Sequence, residues 1–175
     1  MASVPLAVVV MGVSGCGKST VGQQLAEALG AAYIEGDAFH PPANVARMAA
    51  GIALTDEDRA GWLEALAAQL AAARREGRSV VLACSALKRT YRDTLRSGAP
   101  GLRLVHLHGR REPFAARLAA RQGHYMAASL LDSQLATLEM PGEDEAPITL
   151  DIDAPPDVLV QTALDQLHHL RRNTP

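Results

Sequence analysis

The run Gly12-Val13-Ser14-Gly15-Cys16-Gly17-Lys18-Ser19, followed by Thr20, has the residue types and spacing to hold phosphate oxygens. It satisfies the pattern G-x-x-x-x-G-K-[ST]. The glycines let the backbone take conformations that a Cβ forbids, so successive N–H groups can face one anion. A helix beginning near Lys18 adds the positive end of its dipole. Lys18 can reach the β- and γ-phosphates of ATP, and Ser19 can ligate the Mg2+ that bridges them. The plainer alternative is a ligand-free glycine turn. The apolar strand before the motif and the helix after it argue for the cradle.

Two further polar groups follow short apolar runs. They are Glu35-Gly36-Asp37-Ala38-Phe39-His40-Pro41 and Cys84-Ser85-Ala86-Leu87-Lys88-Arg89. Asp37 can accept a hydroxyl proton or hold a magnesium-bound water; as a turn residue it would simply sit beside Gly36. His40 either meets a ligand or caps its turn. Arg59 lies in the first turn of an acid-started helix, where a cation opposes the dipole. An anionic ligand, Asp56 or Asp58 would each explain it. Lys18 and Lys88 are the only lysines in a chain otherwise basic through arginine, which marks Lys88 as a second-site candidate. A solvated helix-start lysine is its alternative. Arg117 and Arg121 are four apart, on one helical face, able to reach adenine or phosphate together or to form a solvated edge. His106 and His108 alternate with leucines and read as structural, and His168 and His169 as solvated.

The elements that must position these groups alternate. Strands are expected over 6–11, 32–35, 79–84, 102–107 and 148–152, and helices over 18–29, 55–76, 112–121, 129–138 and 155–170. Thr55 before Asp56, Glu57 and Asp58 is a strong helix start. Gly36 and Pro41-Pro42 read as breaks. Such alternation implies an α/β chain with a parallel sheet covered on both faces, in which ligands bind at the carboxyl ends of the strands. Residues 123–146 carry few core signals and read as a mobile excursion.

Composition narrows the function. The 175 residues are 48 % apolar and 21 % charged, enough for one domain with a real core. A formal net charge of −2 supplies no basic groove for nucleic acid and no polybasic membrane anchor. Two cysteines, Cys16 and Cys84, are too few for a disulfide framework and read as free thiols. Residues 6–11 are too short to span a bilayer, so a cytoplasmic location is expected.

Taken together, Gly12 to Ser19, Gly36-Asp37-Ala38-Phe39-His40-Pro41, Leu54-Thr55-Asp56-Glu57-Asp58-Arg59 with Trp62, and Cys84-Ser85-Ala86-Leu87-Lys88 with Tyr91-Arg92-Asp93 strongly resemble the gluconate kinase family. So do Gly123-His124-Tyr125-Met126, the run from Ser133 to Glu139, and Pro141-Gly142-Glu143-Asp144-Glu145. The likeness runs through nearly the whole chain. It implies a three-layer P-loop NTPase fold of nucleoside-monophosphate-kinase type, with a five-stranded parallel sheet. It also implies one domain over 1–175, an acceptor region about 37–76 and a lid about 121–140. The implied activity is ATP-dependent phosphorylation of D-gluconate at its 6-hydroxyl, by a homodimer.

On that resemblance Lys18, Asp37 and Arg121 are the expected catalytic residues, and Ser19 and Asp37 face Mg2+. The backbone from Gly12 to Thr20, with Arg117 and Arg121, holds the nucleotide. Asp37, His40, Arg59, Ser85, Lys88, Arg89 and His124 are the acceptor candidates. The third strand ends at Cys84, without the aspartate that often serves magnesium there. Another small-metabolite kinase, such as a shikimate kinase, is the nearest rival. A nucleotide switch lacking acceptor chemistry is a second, and a nucleic-acid end kinase a third.

Overall fold

The computed structural model describes residues 4–120 and 128–173. Five strands form one sheet: Ala7–Met11 (β1), Ala32–Glu35 (β2), Val80–Ala83 (β3), Arg103–His108 (β4) and Ile148–Asp151 (β5). Their order is β2-β3-β1-β4-β5, and every pairing is parallel. β1 is central, with Val9 beside Leu82 of β3 and Leu104 of β4. The chain leaves β1 to one side, for β2, and leaves the adjacent β3 to the other, for β4, so the loops after these two strands open where the connections diverge.

Val8, Val9, Val10 and Met11 are all fully buried, which explains a strand apolar without alternation. Val8 and Val10 pack with residues of Lys18–Leu29 (α1) and Pro156–Arg172 (α7). Val9 and Met11 pack with Asp56–Arg75 (α3) and Arg89–Gly98 (α4). These are the two outer layers of the expected three.

α3 starts as its sequence dictates. The Thr55 hydroxyl accepts from the Asp58 N–H at 3.1 Å, and the Asp58 carboxylate accepts from the Thr55 N–H at 2.9 Å. Two helices depart from expectation. The proline pair that reads as a break instead opens Pro42–Ala49 (α2), with Pro41 as its cap and Pro42 in the first turn. α4 buries Tyr91, Arg92 and Leu95 together, and an arginine on the inward face hides the apolar stripe that marks a helix.

Arg111–Ala120 (α5) and Ala128–Thr137 (α6) flank the residues outside the description. α6 is anchored rather than loose: Leu131 is 1 % exposed and shares the core cluster of Val10 and Phe114. Just past it, the Glu139 N–H donates to the Leu87 carbonyl at 2.8 Å. α6, within the described part of the region expected as a lid, is therefore packed against the domain.

Candidate active site

The cradle lies between β1 and α1. Gly15 has φ +84°, and a Cβ there would stand 2.7 Å from the Phe114 carbonyl oxygen, so only glycine fits. Lys18 folds back over the loop, its Nζ donating to the Val13 carbonyl at 3.1 Å. Ser19 Oγ donates to Glu35 Oε2 at 2.6 Å, and the Tyr33 hydroxyl donates to the same oxygen at 2.6 Å. Burial, reinforced by that bond, raises the Tyr33 hydroxyl above its ordinary range and keeps it a donor. Glu35, at the carboxyl end of β2, thus faces the Ser19 hydroxyl. It went unread in the sequence because its partners lie on β2 and α1.

Arg117 donates to the Cys16 carbonyl at 3.2 Å and the Ile152 carbonyl at 2.9 Å. Its guanidinium braces the loop backbone instead of standing free on a solvated face. Cys16 and Cys84 are both buried free thiols. Burial pushes the Cys84 thiol up to about 12.

The side expected to take the acceptor begins where β2 ends. Gly36 passes so close to β3 that a Cβ would meet the Ala83 carbonyl oxygen at 2.5 Å. The Gly36 carbonyl accepts from Trp62 Nε1 at 2.8 Å. The Trp62 ring in turn stacks on His40, with centroids 4.0 Å apart and planes inclined by 17°. Burial lowers the His40 pKa, against the pull of Asp37. His40 Nε2 lies 4.0 Å from Asp37 Oδ1, and the Asp37 side chain is 74 % exposed. A buried aromatic pair therefore supports an open carboxylate.

Cradle and acceptor side meet in a cavity of about 490 Å³. Its polar lining includes Ser14, Lys18, Asp37, His40, Arg59, Ser85 and Gln134, with Trp62, Met48, Leu54 and Leu87 as apolar walls. Four expected site residues beyond the cradle, Asp37, His40, Arg59 and Ser85, converge there with Lys18. Arg59 Nη1 donates to the Leu54 carbonyl at 2.8 Å and to the Tyr91 hydroxyl at 3.0 Å. Its hydrogen-bond partners are thus neither Asp56 nor Asp58, although its charge helps to lower both of their pKa values.

Two expected acceptor residues are placed elsewhere. Lys88 Nζ is held by Asp56 at 3.0 Å, and Asp56 also accepts from Tyr91. Arg89 pairs with Asp144. Neither lines the cavity. Lysine scarcity pointed to a special role for Lys88, and the role found is a tie across to the start of α3. Arg121 and His124 lie outside the described residues.

The loop carrying Ser85 is shaped from below. Ala86 has φ +47°, a conformation that costs a non-glycine residue about 1 kcal/mol or more. Arg92 is fully buried and donates Nη1 to the Ala86 and Leu87 carbonyls at 3.0 and 3.1 Å. Its other edge grips Glu145, Nε to Oε1 at 2.8 Å and Nη2 to Oε2 at 3.0 Å. Burial alone would raise the Glu145 carboxyl; the bonds from Arg92 and Arg96 outweigh it and hold it at about 2. Among the described residues, His106 Nδ1 is a buried polar atom with no partner, and burial holds that ring at about 4.

Comparison with known proteins decides the family. Residues 8–141 match the AAA domain family. Gluconokinase of Gluconobacter oxydans (strain 621H) is 50 % identical over 157 residues, covering 90 % of this chain and 88 % of that protein. The chain belongs to the gluconokinase family. The crystal structure of a gluconokinase from Sinorhizobium meliloti 1021 superposes with a TM-score of 0.88 at 48 % identity, covering 97 % of this chain and 95 % of that one. Shikimate kinase from Aquifex aeolicus vf5 reaches a TM-score of 0.60 at 16 % identity, over 97 % of this chain and all of that one. That likeness shows a shared fold alone. The gluconokinase fold therefore carries the five-stranded parallel sheet and phosphate loop that the sequence led us to expect.

Proposed function

We propose that this chain transfers the γ-phosphoryl group of ATP to the 6-hydroxyl of D-gluconate, giving 6-phospho-D-gluconate and ADP. The observation that carries the reading is the shared cavity, where the phosphate cradle and Lys18 face Asp37 and Arg59. Family membership identifies the acceptor class, and the cavity supplies the chemistry.

Phosphoryl transfer demands alignment and charge neutralisation more than covalent assistance. The N–H groups of the cradle and the Lys18 ammonium bind the triphosphate. Asp37 orients the acceptor hydroxyl for in-line attack and takes its proton as the bond to phosphorus forms. Its exposure in the cavity leaves the carboxylate reachable. Arg59 spends one nitrogen on Leu54 and Tyr91, so its outer donors can meet the acceptor carboxylate. His40 and Ser85 offer contacts to the acceptor hydroxyls. Arg121 and His124 belong to the same reading, as groups brought in when the lid region closes over ATP.

Mg2+ fits the donor set. The Ser19 hydroxyl and the Glu35 and Asp37 carboxylates are hard oxygens, and no cluster among the described residues would hold a metal alone. That is the pattern for an ion shared with substrate phosphates, where it withdraws negative charge from the transferring group. A homodimer in the cytoplasm completes the reading. Among the described residues no helix is long and apolar enough to cross a membrane.

The test is ADP release coupled to a sugar-acid panel that includes D-gluconate and shikimate. Gluconate-dependent turnover with Mg2+ is expected. Turnover with shikimate instead, or ATP loss independent of any acceptor, would contradict the reading.

A further inference from the structure

Gln134 stands on α6, where the neighbouring Asp132 is taken up by Arg111, and the phosphate loop reaches Gln134 through a single bond. The Ser14 N–H donates to Gln134 Oε1 at 2.7 Å. A backbone N–H can only donate, so it fixes which end of the amide is oxygen. The NH2 end must then turn away from Ser14. Gln134 lines the cavity together with Ser14, Lys18 and Asp37, and no described residue accepts from its Nε2.

We propose that Gln134 is a catalytic residue, its NH2 donating to the phosphoryl group as it passes from ATP to the acceptor. The inference rests on the kinase reading above and deepens it. Three features support this placement. The oxygen is anchored to the cradle itself, so the amide keeps its position relative to the loop that binds the triphosphate. The helix beneath it is fixed, with Leu131 in the core and the Glu139 N–H bonded to the Leu87 carbonyl. The NH2 is neutral, so it can donate to the transferring oxygens without trapping the charged product. Preorganised donors of this kind, aimed where charge shifts, typically contribute about 10²–10³-fold in rate.

The discriminating variant is Gln134→Glu, which preserves the acceptor for the Ser14 N–H and removes both donors. Expected is a fall of about 100-fold in kcat for gluconate phosphorylation, with Mg-ADP binding by calorimetry within about threefold of wild type. Gln134→Met, neutral and of similar size, should fall by a comparable factor. If either variant keeps kcat within threefold, the proposal is overturned. A parallel loss of Mg-ADP affinity in both variants also overturns it, since Gln134 would then only shape the cradle. Should the wild type show no gluconate-dependent turnover, the acceptor reading fails instead. The donor role is then read from Mg-ADP with aluminium fluoride, which mimics the transferring group without an acceptor. Wild type must bind that mixture at least tenfold more tightly than Gln134→Glu, and equal binding rejects the role.

Discussion

The two walls of the cavity are built on different principles. The donor wall is one continuous stretch, Gly12 to Thr20, whose binding groups are main-chain N–H dipoles and one lysine. The acceptor wall is assembled from the end of β2, the start of α3 and the loop after β3, all through side chains. Arg92 supports that wall from beneath, tying the Ala86 and Leu87 carbonyls to Glu145 across a span of 53 residues. A donor shared by many enzymes can be held by local backbone geometry. An acceptor particular to one enzyme needs side chains brought together from afar.

If that division is right, substitutions on the acceptor wall should separate chemistry, support and recognition. Asp37→Asn keeps shape and removes the proton acceptor, so kcat should fall by about 10²–10⁴-fold while Mg-ADP binding holds. Arg92→Leu should cost about 3–5 kcal/mol of stability, because it removes the buried two-point grip on Glu145 and leaves that carboxylate to Arg96. Chemical denaturation measures that loss, and an unchanged midpoint would show that the acceptor loop stands without its prop. Arg59→Leu removes a charged contact of about 1.5–3 kcal/mol, so the KM for gluconate should rise by about 10–100-fold with the KM for ATP unmoved.

A pH effect follows from the same prop. Glu145 folds with its carboxyl at about 2, below the ordinary 4.5. Its stabilisation is complete above the unfolded value and fades as pH falls from about 4.5 towards 2. Thermal melts across that range should drop more steeply for wild type than for the double variant Arg92→Met, Glu145→Met. The smallest effect expected is for Thr55→Ala, about 1 kcal/mol from loss of the cap of α3.

Legibility in the sequence follows the same division. The strands, α1, α3 and the cradle rest on local patterns, and they stand within a residue or two of expectation. Asp37, His40, Arg59 and Ser85 were legible as candidates because each follows a strand end or opens a helix. What stayed hidden depends on long-range pairing. Glu35 gains its meaning from Ser19, and Gln134 from Ser14, across 120 residues. Lys88 looked like a ligand because lysine is rare, yet only the fold reveals Asp56 at 3.0 Å. α4 was hidden because its buried face carries Arg92, whose charge is satisfied by partners the local sequence does not contain.

The central claim is that phosphate moves from the cradle to one hydroxyl of the acceptor across this cavity. Its most direct test is phosphorus–proton correlation NMR on the product formed from ATP, Mg2+ and D-gluconate by wild type and by Asp37→Asn. The account predicts phosphate coupled to the protons on carbon 6, accumulating with wild type and barely with the variant. Inorganic phosphate as the sole new species, phosphate on another carbon, or equal accumulation with Asp37→Asn would contradict it.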